Sequence, residues 1–174
     1  MENFIKLDNM KRYINYLKYV LKHKIYVFIE CWKYGIIWRG LVHDLPKFYP
    51  VEFIPYMKHF YNKDGSKIVR RDKSGFYKPT DDNDEDFKKA WHSHFTSCPH
   101  HWQWWIIPEH DEMVPLEMSE KYVLEMVADW KGAAKAIGTG TAQSWYKINK
   151  NKMILHPNTR RKVEILLFGD KILF

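Results

Sequence analysis

Apolar residues in this chain recur at helical spacing, and prolines and glycines cut the helical runs into short pieces. Tyr13, Leu17, Val20, Leu21, Tyr26 and Ile29 mark one face of a helix over about residues 8–34, with Asp8 or Asn9 suited to cap it and Gly35 to end it. Residues 36–44 read as a short helix stopped by Pro46, because the residue ahead of a proline avoids the α region. Residues 50–61 open on Pro50, which fits a first helical turn. Further helices are predicted over 84–95, over 118–137 with Gly138 and Gly140 closing it, and over 158–167 with Asn158 as cap. Pro99 separates the first of these from a turn at "HHWQWW". Residues 62–86 are polar, charged and glycine-containing, which predicts a long surface loop with a short strand pair around "KIVRR" and "GFYKP". Almost nothing alternates as a long strand. The expectation is an all-α chain, a single domain over residues 1–174 built as a helical bundle with one long polar loop at 62–86.

Composition supports a folded protein: 45% of residues are hydrophobic and 28% charged. The formal net charge of +7 favours anionic partners, although a solvated basic surface gives the same number. Cys31 and Cys98 form neither a close pair nor a disulfide framework, which predicts a reduced protein. Residues 1–7 lack the apolar core of a signal peptide. The longest apolar stretch, "YVFIECWKYGIIW", is broken by Glu30 and Lys33 and is too short to span a bilayer. A cytoplasmic location with no membrane partner is the expectation.

Nine histidines are present, and His92, His94, His100, His101 and His110 fall close together. His23 and His43 lie on separate predicted helices, and Asp44 follows His43 directly. Asp129 sits mid-helix in "VLEMVADWKGA", between Val127, Ala128 and Trp130. A carboxylate buried there is costly without a cation, whereas one facing solvent is not. Imidazole together with carboxylate suits divalent ions, and Mn, Fe, Co, Ni, Zn and Mg all accept such a donor set.

The order His23, then His43–Asp44, then His94 or a neighbour, then Asp129 resembles the HD-domain superfamily of metal-dependent phosphohydrolases, whose pattern is H…HD…D on a helical bundle. "HDLPKF" is similar to that superfamily's HDxGK variant, with Pro46 where glycine is common. Together with "AWHSHFTSCPHHWQWW" and "EKYVLEMVADW", it also resembles an uncharacterised helical family of bacteria and their phages, over about residues 23–174. The resemblance implies one ion held by His23, His43, Asp44 and Asp129. In members with two ions, Asp44 bridges and two more histidines join; His94 and His101 are the choices here, with His92 and His100 as competitors.

The implied activity is metal-dependent hydrolysis of a nucleotide or related small phosphate ester by metal-activated water. Superfamily members hydrolyse deoxynucleoside mono- and triphosphates, cyclic nucleotides and ppGpp-like alarmones. Asp44 would be catalytic, Lys47 would face the phosphate, and Glu52 would act as a base or orient water. The alternative is a non-catalytic module binding nucleotide or nucleic acid on a degenerate HD fold, with Trp102, Trp104 and Trp105 stacking on bases. Nucleic acid is the less favoured partner, because "DDNDED" would repel a backbone and no known reader motif is visible. A protein in a bacterial cell or a phage-infected host fits the narrower resemblance. The sequence leaves the oligomeric state open.

Overall fold

The computed structural model describes residues 2–81, 83–138 and 140–169. It is mostly helical, in the order α1 (Glu2–Lys33), α2 (Ile37–Val42), α3 (Pro50–Phe60), α4 (Glu85–Ser97), β1 (Ile106–Glu109), β2 (Glu112–Pro115), α5 (Glu120–Ile137), α6 (Ala142–Asn149) and α7 (Pro157–Phe168). No helix among the described residues is long and apolar enough to cross a membrane. The chain divides into two units, one of residues 1–22 and 44–94 and one of residues 23–43 and 95–174. The divisions fall inside α1, between His43 and Asp44, and inside α4.

The first unit has an aromatic core. Tyr16 and Val20 of α1, Phe53 and Tyr56 of α3, and Phe87 and Ala90 of α4 are buried together with Tyr61 and Tyr77. Tyr16 meets Phe53 edge-on at 4.7 Å between ring centroids, and Tyr56 meets Phe87 at 5.0 Å, the arrangement favoured by ring quadrupoles. The predicted loop carries one anchor into this core. Tyr77 Oη lies 2.6 Å from His59 Nε2, while His59 Nδ1 lies 3.0 Å from Asp84. The His59 ring stacks on Phe87 at 3.7 Å.

The strand pair expected in this loop does not form. Asp64 and Asp72 each accept a backbone N–H two residues ahead, from Ser66 and Ser74, and curl the chain into turns. Gly65 and Gly75 take the positive φ these turns need. An isolated bridge between Tyr61 and Lys67 is the pairing seen there. Arg70 and Arg71 donate to the carbonyls of His59 and Gly75.

The second unit is built around α5. Its buried residues Val123, Met126 and Val127 pack with Tyr146 of α6, Val163 and Leu167 of α7, and Met118, Met153 and Leu155. Trp102 and Trp105 pack against this cluster, and Trp105 donates its indole N–H to the Pro99 carbonyl, so these two rings are structural in position. A smaller cluster joins Val27 and Cys31 of α1 to Ala128 of α5. At its centre Gly132 leaves room for Val27: a Cβ there would lie 2.8 Å from the Val27 backbone nitrogen.

Glu30, also buried on α1, pairs with Lys33 and Lys135. Burial pushes its carboxyl up, but the two ammonium groups more than offset this and hold it below its usual range. Its charge therefore contributes stability that is present at neutral pH and is lost as pH falls through the lowered folded pKa. Glu30→Gln should cost about 1 kcal/mol at neutral pH, discounted because both lysines stay hydrated. Urea unfolding should show that difference shrinking below about pH 4.

Several boundaries differ from the sequence expectation. α1 runs back to Glu2, so Asp8 and Asn9 lie inside the helix and do not cap it. Asn158 lies inside α7, whose cap is His156: its Nδ1 accepts the Asn158 N–H. The hairpin β1–β2 and the helix α6 were not expected. Glu109 pairs with Glu112 across a His110–Asp111 turn, with His110 at φ 46. That turn lacks the Asn-Gly or Asp-Gly signal by which hairpins are recognised, and Pro108 within β1 argues against a strand. α6 opens on a capping box between Thr141 and Ser144.

Candidate metal centre

The second unit brings together His23 of α1, His43 at the end of α2 and Asp129 of α5. On α1, His23 shares a face with Val27, Glu30 and Cys31, all buried. On α5, Asp129 lies one turn beyond Glu125 and one turn before Gly132, on the face that meets Val27. α2 seats on α1 through Gly40, whose missing side chain would otherwise meet Cys31 Cβ at 2.9 Å and Phe28 Cα at 3.1 Å. Lys24 of α1 donates to the carbonyls of Leu41 and His43, both at 2.8 Å, and so satisfies acceptors that the end of a helix leaves exposed. These contacts fix the place of His43.

One donor atom from each of His23, His43 and Asp129 lies within 4.8 Å of the others. His23 Nε2 is 3.1 Å and His43 Nε2 is 3.5 Å from Asp129 Oδ1. Two donors bonded at about 2.1 Å to one ion stand roughly 3.0 to 3.4 Å apart, for right-angled to tetrahedral coordination. The spacing and the N/O donor set therefore fit a divalent ion. Burial would push the Asp129 carboxyl up, but the contacts with His23 and His43 more than offset it and hold it well below the ordinary carboxylate range. It is an anion at neutral pH. Nearby Cys31 is not a comparable donor, since burial pushes its thiol up to about 11.

From the sequence, Glu125 has two readings, a group that orients a metal ligand or, favoured over it, an exposed salt-bridge partner; the structure buries it completely. His43 Nδ1 lies 3.1 Å and His100 Nδ1 3.5 Å from its Oε1, and Arg39 Nε donates to its Oε2 at 2.6 Å. Burial raises its carboxyl, and His43, His100 and Arg39 bring it down below its usual value. The one available signal was its place a turn before Asp129 on the same face.

The first unit holds the other candidates. Asp44 has φ 53, the left-handed region, and opens the short 3-10 turn Leu45–Phe48. The conformation costs an L residue of this kind about 1 kcal/mol, with aspartate among the better tolerated. Lys47 pairs with Asp44 Oδ2. His94 is buried, with Nε2 3.4 Å from Asp44 Oδ1 and Nδ1 3.1 Å from Glu52 Oε2. Its competitor His92 is exposed. Glu52 is likewise buried, so it meets a histidine and not bulk water. In the second unit His101 stacks on Phe95 at 4.0 Å and lies 4.1 Å, ring to ring, from His100.

A protein family described as a family of unknown function, DUF5662, matches residues 12–167. The chain belongs to DUF5662. No curated protein and no solved structure matches it. In this DUF5662 chain the matched span includes His23, His43, Asp44, His94, Glu125 and Asp129, so every candidate donor lies in the family's common region.

Proposed function

We propose that the chain is an HD-type metal-dependent phosphohydrolase acting on a nucleotide or a related small phosphate ester. The observation that carries this reading is the convergence of His23, His43 and Asp129, from three separate helical segments, at spacings that suit one ion. Asp44, bonded to His43 along the chain, is the remaining donor in the sequence pattern. When bound, the ion lowers the pKa of a coordinated water and neutralises charge on a phosphate oxygen.

The chain's own groups supply the rest. Asp129 brings the negative charge that draws a cation to the two imidazoles. Glu52 faces His94 Nδ1 and so presents Nε2 towards Asp44. Lys47 holds its ammonium on Asp44 and would offer a cationic group to a substrate phosphate beside that carboxylate.

That same Lys47–Asp44 pair favours a second reading, binding of a nucleotide without turnover, because the carboxylate is already neutralised. One assay separates the two. The purified chain is incubated with a panel of nucleoside mono- and triphosphates, cyclic nucleotides and alarmones under Mn, Co, Ni, Zn and Mg. Release of phosphate or pyrophosphate that disappears in the His43→Ala, Asp44→Ala double variant is the expected result. Nucleotide binding with no turnover supports the second reading, and neither bound metal nor hydrolysis sinks the first.

A further inference from the structure

Resting on the metal-centre reading, we propose that Glu125 is a positioning residue which, clamped by Arg39, holds His43 and His100 in the tautomer that carries its proton on Nδ1, so that both present Nε2 as a metal-binding atom. This makes His100 a ligand-ready histidine in the "PHHW" segment, where the sequence reading had favoured His101.

The geometry is specific. A single oxygen, Glu125 Oε1, faces Nδ1 of both rings, at 3.1 Å for His43 and 3.5 Å for His100. A carboxylate accepts and cannot donate, so the proton of the 3.1 Å bond sits on His43 Nδ1, and the 3.5 Å approach of His100 Nδ1 to the same oxygen favours a proton there too. A neutral imidazole has one N–H, which leaves its Nε2 lone pair as the donor for a cation. For His43 this is the atom 3.5 Å from Asp129 Oδ1. The ring centroids of His43 and His100 are 4.5 Å apart, so the two imidazoles share the carboxylate side by side.

Arg39 has a separate task. Glu125, His43 and His100 also have donor atoms close enough to hold an ion themselves. The Arg39 guanidinium on Oε2 opposes that, since a cation arriving there would meet a positive charge 2.6 Å from the carboxylate. Glu125 is 0% exposed, so it has no water with which to exchange these partners. A buried carboxylate in this position stays only because three donors surround it.

The test reads the histidines directly. Long-range 1H–15N correlation spectra of the full-length 15N-labelled protein report which nitrogen of each ring is protonated, with assignments from His43→Gln and His100→Gln. Spectra of the metal-free protein are taken over a pH series, and the tautomer is read where each ring shows a single protonated nitrogen. His43 and His100 should both show the proton on Nδ1, and Glu125→Gln should shift both towards the other tautomer. In Zn(II) titrations Glu125→Gln should bind roughly 10- to 100-fold more weakly than the wild type, the usual loss for an outer partner of a ligating histidine. Far-UV circular dichroism controls for the fold.

Protonation on Nε2 of either ring in the wild type overturns the proposal, and so does a Glu125→Gln protein with unchanged tautomers. Should that variant not fold, the wild-type spectrum alone decides. A wild type that binds no Zn(II) refutes the metal-centre reading, whereas the metal-free tautomers still judge the role of Glu125.

Discussion

The Gly132→Ala protein should be less stable than the wild type by roughly 2 kcal/mol, as overpacking outweighs the gain in helix propensity, and it should bind divalent ions poorly. A Cβ at position 132 would lie 2.5 Å from Val27 Cγ2, 2.8 Å from the Val27 nitrogen and 3.0 Å from Val27 Cα. The methyl group can rotate away, but the backbone atoms cannot. Relief therefore requires α1 and α5 to separate around residues 27 and 132. His23 is one turn from Val27, and Asp129 is one turn from Gly132, so the separation reaches their 3.1 Å contact directly. Urea unfolding and Zn(II) titration check this. A variant with the wild-type midpoint and wild-type affinity would show that the close approach of the two helices does not set the site.

Asp129→Ala should reduce Zn(II) affinity by more than about 100-fold, beyond the loss that outer partners cause. It removes the carboxylate that Nε2 of both His23 and His43 faces, and with it the charged donor of this cluster. The metal-free protein should lose about 1–3 kcal/mol, because the buried His23 loses the carboxylate 3.1 Å from its Nε2. Asp129→Asn keeps an oxygen at the position and separates charge from shape.

The pH dependence has a definite sign. Since the folded Asp129 carboxyl lies below its unfolded value, its contribution is full above about pH 4 and is lost as the pH falls further. The stability gap between wild type and Asp129→Asn should be widest near neutral pH and narrow in acid. A gap that stays constant down to acid unfolding would refute the pairing of Asp129 with the two histidines.

The helices were legible where a strong apolar period met a strong stop. α3 starts at the expected Pro50, and α5 ends at Gly138, which takes φ 81 beyond the last turn. The hairpin was hidden because its turn is His110–Asp111 and its strands each contain a proline. Tyr77 was hidden for another reason: a single aromatic in a polar tract has no period, yet its hydroxyl finds His59 and its ring finds Phe87.

Among the candidate site residues, His23, His43 and Asp129 were implied by the resemblance to the H…HD…D pattern, and Asp129 also stood out as a carboxylate in a mostly apolar helical run. The burial of Glu125 and its partners were not legible. A glutamate is an ordinary helix former, and its burial depends on Arg39 and His100, 86 and 25 positions away in the sequence. His92 and His94 are two residues apart and could be told apart only by the rotation of α4, which buries one and exposes the other.

The backbone at Asp44 sets stability against chemistry. At φ 53 glycine would sit without strain, and replacing a buried carboxylate that needs Lys47 beside it would remove a desolvation cost as well. A redesign guided by folding energy alone would therefore change this residue among the first. In doing so it would convert the chain into a sturdier scaffold and erase one half of its most informative dipeptide. Sites ranked as weak points by such a redesign are, in this chain, places to look for function.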